Sequence, residues 1–149
     1  MAEIKTVNDR LGVFKELPDV PEARRFHQYA SAYDGNDTWA VYRKKHELSE
    51  RMGEEWDRFG RRWKDHMADR GRHHALARPD DVEAWSQWML NQFSVNRAYQ
   101  HWNVIEGFYE WLKWHTEHPH VYNPFHMAAR DTESYTWEIW QEKMVTRND

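Results

Sequence analysis

Apolar residues recur along this chain at helical spacing, and the most continuous pattern lies between Ser94 and Phe125. Ala98, Trp102, Ile105, Phe108, Tyr109 and Leu112 follow one another mostly at steps of three and four. That spacing predicts one apolar stripe on an amphipathic helix of about six turns. Ser94 is suited to cap its start, while Pro119 and the Asn123-Pro124 pair oppose its continuation. The rest of the chain is organised around this helix.

Upstream, Met52, Trp56, Phe59, Trp63 and Met67 predict a second strong stripe, with Arg51, Arg58, Arg61, Arg62 and Asp65 on the opposite face. Pairs such as Glu54–Arg58 and Asp57–Arg61 fit the i,i+4 spacing of a solvated helix face. Residues 71–79 read as a basic linker. Asp80 with Glu83 three residues on reads as a capping box, and opens a helix burying Val82, Trp85, Trp88, Met89 and Phe93. A tight turn over 92–94 then makes that helix a near neighbour of the organising one. At the N-terminal end, residues 1–19 lack sustained periodicity and predict a loosely docked arm. A helix is expected over 22–33 with Phe26, Tyr29, Ala30 and Tyr33 on one face. Gly35 stops it, Asp37 or Thr38 caps a short helix, and Trp39, Tyr42 and His46 line that helix. After Pro124 a helical turn is expected over 125–129. A last helix follows over about 131–146, with a narrow stripe of Trp137, Trp140 and Met144. No stretch alternates as a strand does. The chain reads as an all-α helical bundle.

Composition sharpens this picture. Mean hydropathy is only −1.10, yet 15% of the 149 residues are aromatic, including 10 Trp, so a core of a few large rings is expected in place of disorder. The absence of cysteine excludes disulfides and thiolate-bound metal. No apolar run reaches the length of a membrane span and no signal peptide is legible, which predicts a cytoplasmic protein with no membrane partner. A net charge of −4 argues against indiscriminate nucleic-acid binding. Locally, however, residues 51–78 hold eight basic against five acidic side chains, an excess of three, so any DNA face is a patch. Arg97 adds an anomaly: it sits in the first turn of its helix, where the dipole favours negative charge. Beside Asn96, Gln100 and His101, it suits a docked phosphate; a neighbouring glutamate is the simpler partner.

The series Ser-x-x-x-Ala (94–98), Phe-Tyr-Glu-Trp-Leu (108–112) and Asn-Pro (123–124) resembles the core-binding domain of tyrosine recombinases and phage integrases. Residues 49–70, with Trp56, Arg58, Phe59 and Trp63, are similar to that family's first long helix, and residues 79–90 to its short middle helix. The resemblance covers residues 49–126 and divides the chain into an N-terminal helical extension (1–48), a SAM-like helical domain (49–126) and a C-terminal helical tail (127–149). It implies a partner, double-stranded DNA, and a link to a mobile element, virus or plasmid. By analogy, Arg58, Arg61, Arg62 and Lys64 on one helix and Asn96, Arg97, Gln100 and His101 on the other would face that DNA. Arg and Lys suit phosphates, and Asn and Gln suit base edges.

The family's catalytic domain holds a Tyr nucleophile with Arg, Lys and His partners, and no such series follows residue 125; Tyr135 lacks those partners. The expectation is a non-catalytic binding protein without a cofactor, either stand-alone or the N-terminal piece of a longer recombinase. His115, His118 and His120 with Glu117, and His73-His74, form the one metal-like cluster. They sit at a helix end expected to fray, in a chain with 10 His, so the pattern argues against a bound metal. The same histidines would make DNA binding pH-sensitive. The competing expectation is a protein-interaction module that keeps the fold, does not bind DNA, and homodimerises or recruits a partner through the C-terminal Trp helix. For that helix, folding back on the bundle is the simpler expectation and docking on a second copy the other. Trp114, off the main stripe, is the aromatic residue expected at the surface.

Overall fold

A computed structural model of the protein describes residues 7–148, with side chains through Lys143. The described residues are helical and contain no strand. In order they form α1 (Asn8–Leu11), three 3₁₀ turns between Leu17 and Tyr29, α2 (Ala30–Tyr33), α3 (Thr38–Lys44), α4 (Glu50–Asp69), α5 (Pro79–Gln92), α6 (Val95–Trp114), α7 (Pro124–Ala129) and α8 (Tyr135–Asn148). The starts of the longer helices follow their caps. The hydroxyl of Ser49 accepts from the Met52 N–H, that of Ser94 from the Arg97 N–H, and the Asp37 carboxylate from the Ala40 N–H. Gly35, at φ 79°, takes the left-handed conformation that ends α2.

Helix α6 is the central element, packed against α4, α5 and α8. All six residues of its stripe are fully buried. Trp63 of α4 sits among Trp85, Tyr109 and Phe125, with ring centroids 4.9, 6.2 and 5.3 Å away. Such large rings account for how a chain of low mean hydropathy closes a core. Gly60 lets the Trp39 indole lie directly on α4: a Cβ there would stand 2.1 Å from its Nε1.

The segment between α4 and α5 is more than a linker. Ala75, Leu76 and Ala77 are buried, and the His74 carbonyl accepts from both Trp63 Nε1–H (2.8 Å) and the Tyr109 hydroxyl (2.8 Å). Two rings of the core thereby fix its path. Asp81, also buried, accepts from the Arg78 N–H (2.8 Å) and pairs with Arg70 and Arg72. The cap of α5 is thus Asp81, not the Asp80/Glu83 pair. Glu83 instead reaches across to α8, accepting from the N–H groups of Tyr135 and Thr136 (both 3.0 Å) and from the Thr136 hydroxyl (2.8 Å). A carboxylate at that helix start satisfies two free donors and matches the dipole.

Other expectations are corrected at the ends. Residues 22–33 do not form one helix; two 3₁₀ turns precede the short α2, although Phe26 and Tyr33 are buried as the pattern required. Of the 1–19 arm, residues 1–6 lie outside the described part, and Val7 and Leu11 are buried in the common core. Helix α6 ends at Trp114, before the prolines. Helix α8 starts at Tyr135, later than residue 131, where Ser134 Oγ accepts from the Trp137 N–H. Trp140 and Ile139 of α8 are fully buried in the bundle; the Met144 side chain lies outside the described residues. Met52 and Trp88, assigned to buried stripes, are 47% and 41% exposed. No helix among the described residues is long and apolar enough to cross a membrane.

Candidate nucleic-acid interface

The cap at Ser94 sets the first turn of α6 against the middle of α4. Arg97 there meets Glu55: Nη2 lies 2.8 Å from Oε2 and Nη1 3.3 Å from Oε1. The same Oε2 accepts from Arg58 Nη1 at 3.0 Å. Glu55 therefore bridges two guanidinium groups, and Arg97 has the glutamate partner that its position in the helix called for. One turn on, Arg62 Nη1 lies 2.7 Å from His101 Nε2, while His101 Nδ1 lies 2.9 Å from the Arg97 carbonyl. A carbonyl only accepts, so Nδ1 carries the proton and Nε2 accepts from Arg62. His101 is fully buried and stacked on Phe93, and burial pushes its pKa down to about 4. It is a neutral scaffold and offers no surface to a ligand.

The cation count at this corner exceeds the anion count. Arg62 has a neutral imidazole for a partner and lies over the Phe93 ring. Its pKa is lowered, first by partial burial and then by the charges of Arg58, Arg97 and Arg61. Glu55 answers Arg97 and Arg58, and its carboxyl is held down chiefly by the Arg97 hydrogen bond. Asn96 and Gln100 are exposed beside this cluster, with the Gln100 side-chain oxygen 2.8 Å from Arg97 Nη1.

Six of the eight predicted residues thus gather at one corner: Arg58, Arg62, Asn96, Arg97, Gln100 and the buried His101. Arg61 and Lys64 do not. They lie on the opposite flank of α4 beside α3, where Lys64 pairs with Asp37 (2.6 Å) and Arg61 lines a shallow depression with Arg43 and Lys44. The expected Glu54–Arg58 and Asp57–Arg61 pairs are absent; Arg58 pairs with Glu55 and Asp57 with Arg43 (2.9 Å). Two contributors escaped the sequence reading. Glu55 reads as one acid among several until α6 is brought to it. Trp88, expected in the core, is instead half-exposed near the C-terminal end of α5 and stands edge-on to Phe93 at 5.8 Å, the residue that begins the turn into α6.

The histidines take other roles. His118 Nδ1 lies 2.5 Å from the Tyr33 hydroxyl, and the buried His120 donates from Nε2 to the Ala75 carbonyl (2.7 Å). His115 is half-buried beside Trp111, and His73 Nε2 lies 2.7 Å from the Asn36 carbonyl. Among the described residues no group of three His, Asp or Glu is arranged to hold a metal ion. Trp114 is 78% exposed, as its place off the stripe required.

Comparisons of the chain with protein families, with curated proteins and with solved structures return no match.

Proposed function

We propose that this protein is a non-catalytic DNA-binding module resembling the core-binding domain of a tyrosine recombinase, and that it grips duplex DNA with the corner between α4 and α6. The observation that supports this most is the unanswered charge of Arg62, set between Arg58 and Arg97 beside the start of a 20-residue helix. A phosphate at that corner would meet three guanidinium groups and the positive end of the α6 dipole. Asn96 and Gln100 stand at the same edge with amides that suit base edges. Arg61 and Lys64, on the far flank, fall outside this proposed contact.

The interaction-module reading draws on the net charge of −4 and the acidic excess over residues 94–126, and places its contact on the Trp stripe of the C-terminal helix. Among the described residues of that stripe, Trp140 is fully buried within the bundle and Trp137 is partly covered, which gives the second-copy reading less support than the charged corner gives the DNA reading. Paired replacement of Arg62 and Arg97 by Ala tests the DNA reading. Loss of affinity across unrelated duplex sequences, with a salt slope shallower by about one to two units, is expected. Unchanged affinity of the folded double variant would sink it.

A further inference from the structure

Resting on that DNA reading, we infer that the place now held by the Glu55 carboxylate is itself a phosphate seat, and that Glu55 is a built-in competitor for it. Glu55 engages Arg97 through both oxygens and Arg58 through one, as a phosphate would. The guanidinium of Arg97 is also laid over the Phe59 ring, and that of Arg62 over Phe93. Both cations are therefore held in place by ring contacts that do not depend on Glu55. The carboxylate is not structurally enclosed: its side chain is 24% exposed, on a flexible stem at the edge of α4. A rotation of that stem outward would empty the seat without moving either helix.

The bridge holds the face closed to weak or passing anions, because any phosphate must displace a bidentate carboxylate before it meets Arg97. A DNA backbone that engages Arg62 at the same time has the additional contact needed to do so. Glu55 thereby trades affinity for selectivity between extended polyanions and single phosphates.

The test compares wild type, Glu55→Gln and Glu54→Gln for binding of a labelled duplex at fixed low salt. Glu54 is exposed on the same helix, carries the same charge and has no ion pair among the described residues. Glu55→Gln should bind about tenfold tighter, and Glu54→Gln should change affinity less than about twofold. The gain should disappear in the Glu55→Gln/Arg97→Ala double variant. Helix content and melting temperature establish that each variant is folded, and Glu55→Ala provides a second removal of the competitor. If Glu55→Gln and Glu55→Ala bind equally or more weakly while Arg62→Ala weakens wild-type binding, the seat inference is overturned and the DNA face stands. If none of the folded proteins binds duplex at low salt, both fall.

Discussion

The charge in the middle of helix α6 and the charge at its start are handled differently. In the middle, Glu106 is buried with Lys143 of α8 at 2.8 Å and His126 of α7 at 3.5 Å, and Asn123 donates to its backbone carbonyl. Burial alone would raise the Glu106 carboxyl, but His126 and Lys143 hold it below the usual carboxylate range. The Lys143 ammonium also lies over the Trp140 and Trp102 rings. Every charge there has a partner from another element. At the N-terminal end, Arg58, Arg62 and Arg97 share Glu55 and a neutral histidine. Buried ions must be paired, because water is not there to solvate them; surface ions need not be. The contrast separates charge that holds helices together from charge that is left for a ligand.

Breaking the buried cluster should have the largest effect. Lys143→Met leaves Glu106 buried and short of its main cation, and should cost about 3–5 kcal/mol of stability by denaturant unfolding. Next, Asp81→Asn removes the charge that Arg70 and Arg72 share and weakens the cap of α5, for an expected loss of about 2–3 kcal/mol. A loss below about 0.5 kcal/mol in either case would show that these pairs do not organise the fold.

Acid probes the same interior more gently. Burial pushes His101 and His120 down to about 4 and His74 down to about 3. Between pH 6.5 and 4 the unfolded chain binds protons that the native state refuses, so stability is lost as pH falls through that window. His101 and His120 should each contribute about 2 kcal/mol of that loss by pH 5. The carboxyls of Glu106 and Asp81, lowered in the fold, extend the loss below about pH 4.5. Flat stability from pH 7 to 5 would contradict neutral burial of these rings. The surface cluster should respond least: Arg62→Ala is expected to change stability by no more than about 1 kcal/mol while weakening duplex binding several-fold.

The same distinction explains what was legible in the sequence. Ser94 caps where its side chain predicted, and Asp37, one of the two candidates with Thr38, caps α3, because a cap acts within three residues of itself. The stripe of α6 was readable for a similar reason: spacing along one helix decides which residues share a face. What failed was decided between elements. Glu83 fits a local capping box, yet α8 arrives with free N–H groups and takes it. Trp88 and Met52 have core spacing, yet the fold leaves them 41% and 47% exposed. The site divides in the same way. Arg58 and Arg62, four residues apart, share the flank that α6 meets, whereas Arg61 and Lys64 share the flank beside α3. Glu55 gains its meaning only when Arg97 is brought to it across 42 residues.

The central claim is that the corner of α4 and α6 is a surface for DNA phosphates. Fluorescence anisotropy of a labelled duplex, titrated with the wild-type protein across a salt series, tests it most directly. If Arg58, Arg62 and Arg97 each neutralise one phosphate, log affinity should fall against log salt with a slope of about −2.7. Absence of binding at low salt, or a slope near zero, would contradict the account and leave the cluster as a feature of the α4–α6 packing alone.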